Sequence, residues 1–189
     1  MTFVRIICAA AFLAATSLTA LAADDIIDAI EQARKAYQAG DMAIAKQSLD
    51  LASQLVGQKN AEVFATLLPE PLPGWKADKA ETAAVGVAMF GASSASRRYH
   101  NAKGGDVQVR ITGDSAMVMQ FAQIFMNPAI AGVMGKLIRV GNERAIQTNE
   151  GSVNMVIASK FLVTVEGSAD AASKLAYAQA VDVAKLSKM

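Results

Sequence analysis

The sequence predicts an α+β protein: an antiparallel sheet packed with helices, preceded by an N-terminal helical hairpin. Three observations carry this. Apolar and alanine positions recur at helical spacing from residue 24 to 66, three prolines crowd into residues 67–75, and beyond Trp75 the hydrophobic period changes to two.

The chain opens MTFVRIICAAAFLAATSLTALAADD, with one early charge at Arg5, an apolar run from Ile6 to about Ala15, and small residues at Ala20 and Ala22. That order of charged region, apolar core and A-x-A site describes a signal peptide over residues 1–23, cleaved near Ala22 or Ala23, and hence a periplasmic protein. An uncleaved anchor fits less well, because the run is short for a bilayer and passes directly into Asp24-Asp25. Cys8, the one cysteine, lies inside the leader, so the mature chain is expected to hold no disulfide, thiolate metal site or cysteine nucleophile. Stability then has to come from an ordinary packed core, for which about 166 residues suffice. Loss of Arg5 leaves 17 basic against 17 acidic side chains, a balance that draws in neither nucleic acid nor an anionic membrane. No later apolar run approaches the ~20 residues of a transmembrane helix.

From Asp24 to Val56, apolar or alanine residues at Ile26, Ile27, Ile30, Ala33, Ala36 and Tyr37 mark one helical face, and Ile44, Ala45, Leu49, Ala52 and Leu55 mark a second. Gly40-Asp41 interrupts them. The expectation over 24–66 is two antiparallel helices joined by a tight turn, with Asp41 as N-cap. AYQAGDMAIAKQSLDLA, residues 36–52, resembles the middle of a tetratricopeptide repeat, although the usual tryptophan and leucine-glycine of the first helix are absent and Gly57 stands where a closing proline is common. One unit of a kind that normally needs about three stacked neighbours reads first as an alanine-rich hairpin docked on the rest of the protein or pairing two copies.

LLPEPLPGW, residues 67–75, is expected to be a stiff Pro-rich linker, since proline blocks helix and extends its predecessor. Trp75 is the only tryptophan, with a core-closing ring as the first reading and a ligand-stacking ring as the second. Residues 76–189 then form the sandwich domain. AVGVAMF, SASRRYH, DVQVRIT, KLIRVGN, RAIQTN, VNMVIAS and FLVTVEG read as strands, with tight turns at Lys103-Gly104-Gly105 and Asn149-Glu150-Gly151 joining antiparallel neighbours. Between the third and fourth runs, DSAMVMQFAQIFMNPAIAGVM reads as a helix broken at Asn127-Pro128. The tail reads as one closing helix with Leu175, Ala176, Val181 and Leu186 inward. Pro-Gly-Trp before the first strand, VQVRITGD before a methionine-rich helix, the hairpin ending in FLVTVEG and the closing AYAQAVDVAKL resemble exported bacterial proteins of unassigned function with the Mog1/PsbP-like fold, over about residues 70–187. The resemblance implies a fold and a binding or accessory role, and assigns no functional residue.

Few residues of the chain fall into a pattern that carries chemistry. His100 is the only histidine, too few for an imidazole metal site, and no nucleophile elbow accompanies the serines. Alternation puts Arg98 and His100 on one face of their strand and Arg97 and Tyr99 on the other, with Tyr99 inward. Arg97, Arg98, Lys103 and Arg110 offer a basic patch, so the candidate ligand-binding residues are Trp75, Arg98, His100 and Arg110. Met117, Met119, Met126 and Met134 raise the question of copper, and an alternative is a Cu(I)-handling or stress accessory protein that uses Met117, Met119, Met126 and His100, although methionines packing a helix on a sheet need no metal. GVMGKL at 132–137 lacks the glycine and the hydroxyl of a phosphate loop. The expectation is therefore a soluble periplasmic, non-enzymatic binding protein with no cofactor and no metal, whose partner is another periplasmic protein or a small ligand. An unrecognised enzyme is the remaining alternative.

Overall fold

The computed structural model describes residues 21–84, 92–113, 118–119, 122–123 and 128–189. The leader up to residue 20, the strand pattern from Val85 to Phe90, and Met117 and Met126 lie outside the described residues. What is described is α+β, with helices and an eight-stranded antiparallel sheet.

Helices α1 (Leu21–Gln38) and α2 (Met42–Thr66) form the hairpin, and the Asp41 carboxylate caps α2 by accepting from the Ile44 N–H at 3.0 Å. Gly40 at φ +80° makes the turn. The helices meet through Ala29, Ala33, Ala45, Ser48 and Ala52, all buried. Ile27, Ile30, Tyr37, Ile44 and Leu49, expected inward, are exposed instead. The physical reason is that alanine and serine let two backbones approach closely, which pushes larger neighbours to the flanks of the contact.

Facing away from α1, Gly57, Ala61 and Phe64 of α2 reach the sheet. A Cβ on Gly57 would lie 3.4 Å from Ala84 and Ser93, and Phe64 packs edge-on against Phe161 at 5.6 Å. The last turns of α2 therefore belong to the main core. The proline-rich segment packs as well. Leu68 and Pro69 are buried, the Tyr99 hydroxyl donates to the Pro69 carbonyl at 2.6 Å, and the Leu72 N–H donates to the Tyr177 hydroxyl at 3.3 Å.

The strands are β1 (Trp75–Ala77), β2 (Glu81–Ala84), β3 (Ser93–Asn101), β4 (Asp106–Gly113), β5 (Lys136–Val140), β6 (Glu143–Gln147), β7 (Val153–Ile157) and β8 (Phe161–Glu166). Their order is β1-β3-β4-β8-β7-β6-β5, and β2 also pairs with β3. Ala77 pairs with Tyr99 whereas Glu81 pairs with Ser96, so β1 and β2 line one edge of β3 with one extra residue between them. Both predicted turns join antiparallel neighbours, β3 to β4 and β6 to β7.

A short helix, α3 (Pro128–Met134), covers Ile146 of β6 through Ala131. The main core lies on the face that carries Ala95, Tyr99, Val107, Val109, Ile111, Val163 and Val165. It is closed by the end of α2, by α4 (Ala171–Ala180) and by α5 (Val183–Leu186). The tail is thus two helices and not one. Val181 is extended at ψ 130° and Asp182 caps α5, so the chain turns where the spacing predicts a single helix. Tyr177, Ala178, Val181 and Leu186 are buried, while Leu175 and Ala176 are only half-buried.

Candidate functional site

The opposite face of β3 and β4 is polar because the period-two pattern sends Ser96, Arg98, His100, Asp106, Gln108 and Arg110 outward. In register, His100 faces Asp106, Arg98 faces Gln108 and Ser96 faces Arg110. The extra residue after β1 brings Asp78 against this strip, where its carboxylate lies 2.9 Å from His100 Nε2. Two shallow depressions share Arg98 and Gln108. One, of about 180 Å³, adds Asp78, Lys79, Glu81 and Ser96, and the other, of about 480 Å³, is walled by Asp106, Glu166, Ser168 and Lys174.

Three of the four predicted ligand residues, Arg98, His100 and Arg110, therefore share this face. Trp75 does not. It pairs with Asn101 on the core side and packs edge-on against Tyr177 at 5.3 Å, which makes it the core-closing ring.

Two groups absent from the sequence-based candidates hold the larger depression together. Lys174 is 3 % exposed, and its ammonium donates to the carbonyls of Glu150 at 2.6 Å and Gly167 at 3.1 Å. It ties the turn before β7 to the loop before α4. Asp106 accepts from the Ser168 hydroxyl, and its own N–H donates back to that oxygen at 3.1 Å. No local pattern announces either contact, because each joins segments that meet only in the folded chain.

The Ser168 hydroxyl, followed by desolvation acting the other way, holds the Asp106 carboxyl below the usual carboxylate range, and Arg98 and His100 assist. A carboxyl whose folded pKa is depressed stabilises the fold above its unfolded value of roughly 3.9, and that contribution is lost as pH falls through the folded value. Ser168→Ala is expected to weaken the protein at neutral pH, with the gap to wild type narrowing below about pH 4. Urea titrations across pH test this, and a gap that stays constant would rule out the carboxylate as its source.

Ser168 donates to the Asp106 carboxylate, and the Asp78 carboxylate meets Nε2 of His100. No family model, curated protein or solved structure matches the chain. Chemistry must therefore be judged on the residues themselves. Among the described residues no three His, Cys, Asp or Glu side chains gather as metal ligands, and of the predicted copper methionines Met119 is an exposed side chain. The polar side chains of the strip are spent mainly on one another. Arg98 donates to Gln108 at 3.5 Å and His100 meets Asp78, which leaves Arg110 as the predicted residue of this face without a side-chain partner among the described residues.

Proposed function

We propose that this is a soluble periplasmic, non-enzymatic binding or accessory protein whose helical hairpin is its protein-contact element. One observation carries the reading. The hairpin leaves Ile27, Ile30, Tyr37, Met42, Leu49 and Val56 exposed, at 59, 44, 65, 61, 55 and 43 % respectively, so large apolar side chains are concentrated on two adjoining helices. Single apolar residues are normal on a surface, but this many large ones on two adjoining helices point to an interaction site. The leader-like first residues support export, and no described helix is long and apolar enough to cross a membrane. The strip around Arg98 supports a structural role, because most of its groups satisfy one another.

Removing the hairpin whole would also remove Phe64 from the core, so surface substitutions are the sound test. Leu49→Asp with Val56→Asp should leave the far-ultraviolet spectrum nearly unchanged and the unfolding midpoint little lowered, since both residues lie on the exposed surface of α2. Cross-linking in intact cells should give a protein adduct with the wild type that the double variant loses. An adduct of undiminished yield in the folded variant would sink the reading.

A further inference from the structure

Of the exposed large apolar residues of the hairpin, Ile30, Tyr37, Met42, Leu49 and Val56 share one face while Ile44 and Leu51 lie on the other, and the larger set points to an occupant. Met42, Leu49, Val56 and Val63 recur at every seventh position of α2, and Ile30 and Tyr37 are seven apart on α1. Each helical residue advances by about 100°, so Ile30 and Tyr37 lie roughly 70°, and Met42, Leu49 and Val56 roughly 50° to 90°, to the same rotational side of the buried alanines, with Val63 drifting back toward the seam. In antiparallel helices that places them on one side of the hairpin plane. The exposed result is a two-helix sheet of apolar side chains with a buried small-residue seam beneath it, half of a four-helix bundle.

From this geometry we infer that the face is closed by a second copy of the chain, two hairpins packing about a two-fold axis into an intermolecular four-helix bundle. This rests on the reading of the hairpin as the contact element. Two further observations favour a second copy as occupant. The six side chains of the two stripes, 38 to 65 % exposed, hold on the order of 600 Å² per copy, three quarters of the ~800 Å² each partner contributes to a standard stable interface. The rims are neutral: Arg34 pairs with Glu31 at 2.8 Å beside the α1 stripe, and Lys46 with Asp50 at 2.6 Å beside the α2 stripe. Each rim thus presents both signs, which a two-fold contact requires, since every patch must meet its own copy without repulsion.

Sedimentation equilibrium of the exported, purified protein should return twice the chain mass at tens of micromolar, dissociating on dilution. Each substitution enters a two-fold interface twice, so Leu49→Asp should raise the dissociation constant at least ~100-fold even if each site contributes only tenfold. Tyr37→Ala, conservative in fold because the side chain is largely exposed, should weaken the dimer as well. A strictly monomeric wild type overturns the proposal, as does a dimer that survives Leu49→Asp in folded protein. The two readings separate in the adduct. A monomeric wild type whose cellular adduct with a different protein vanishes in the double variant refutes self-pairing and leaves the contact role standing, whereas an adduct unchanged in the variant refutes both.

Discussion

Tyr177→Ala is expected to cost roughly 4 kcal/mol of stability, in the range found for emptying a fully buried aromatic site. Tyr177 is 0 % exposed and stands at the junction of three parts of the chain. Its ring lies 4.4 Å from Tyr99 on β3 and 5.3 Å from Trp75 on β1, and its hydroxyl accepts the Leu72 N–H. Truncation would therefore empty a cavity, remove two aromatic contacts and release the proline-rich segment together. Tyr177→Phe keeps the rings in contact and loses one hydrogen bond, for about 1 kcal/mol. Trp75 is the only tryptophan, so its fluorescence reports both the native environment and urea unfolding. The native Tyr177→Ala protein should emit further to the red, and its midpoint should fall at nearly constant slope. A loss under about 2 kcal/mol would show that the cluster relaxes to fill the gap and does not lock the segment.

The same cluster sets an alkaline limit. Burial raises the pKa of both Tyr99 and Tyr177, most strongly for Tyr99, where the nearby Arg97 only partly opposes it. For an acid whose folded pKa exceeds its unfolded value, the stabilisation is complete below the unfolded pKa near 10 and is lost as pH rises through the folded value. The tyrosine cluster therefore works against unfolding throughout the neutral range.

How much of this is legible in the sequence depends on whether the signal is local. Alternation in SRRYHN correctly separates Tyr99 from His100, because a strand fixes side-chain direction residue by residue. The glycine turns correctly join β3 to β4 and β6 to β7. Asp41 is legible as a cap because capping needs only its own three-residue neighbourhood. The strands β1 and β2 are too short to show a period, and the break at Val181 depends on the turn that lets Leu186 enter the core. Hydrophobic spacing marks the helices of the hairpin but not its packed face, since the pattern cannot say whether alanine or isoleucine goes inward. That difference matters for function, because the isoleucine, leucine and tyrosine thereby left outside are the surface from which self-pairing is inferred. Trp75 and Arg98 read as members of one site, yet the pleat puts them on opposite faces of the sheet. Lys174 and Asp106 are silent in the sequence, as their partners come from other loops.

Gly167→Ala should be comparably severe, at roughly 3 kcal/mol or more, and it tests the loop that frames the larger depression. Gly167 adopts φ +135°, a conformation that L side chains rarely accept, and a Cβ there would lie 2.3 Å from the Asp106 carbonyl oxygen. That oxygen cannot retreat cheaply, because it already accepts the Ala169 N–H at 3.0 Å, and the Gly167 carbonyl in turn receives the Lys174 ammonium. Two costs combine: strained backbone and a collision with backbone. Gly104→Ala separates them. Gly104 has φ +82°, and nothing lies within 4 Å of the place an added methyl would take, so it carries the conformational cost alone, about 1 kcal/mol. The excess of Gly167→Ala over Gly104→Ala then measures the close approach of β4 to the loop before α4. Equal losses would mean that the loop moves aside, and with it the Ser168 contact to Asp106. In that case Gly167→Ala should also abolish the acid-dependent part of the Ser168→Ala effect, since the two substitutions would break one and the same clamp.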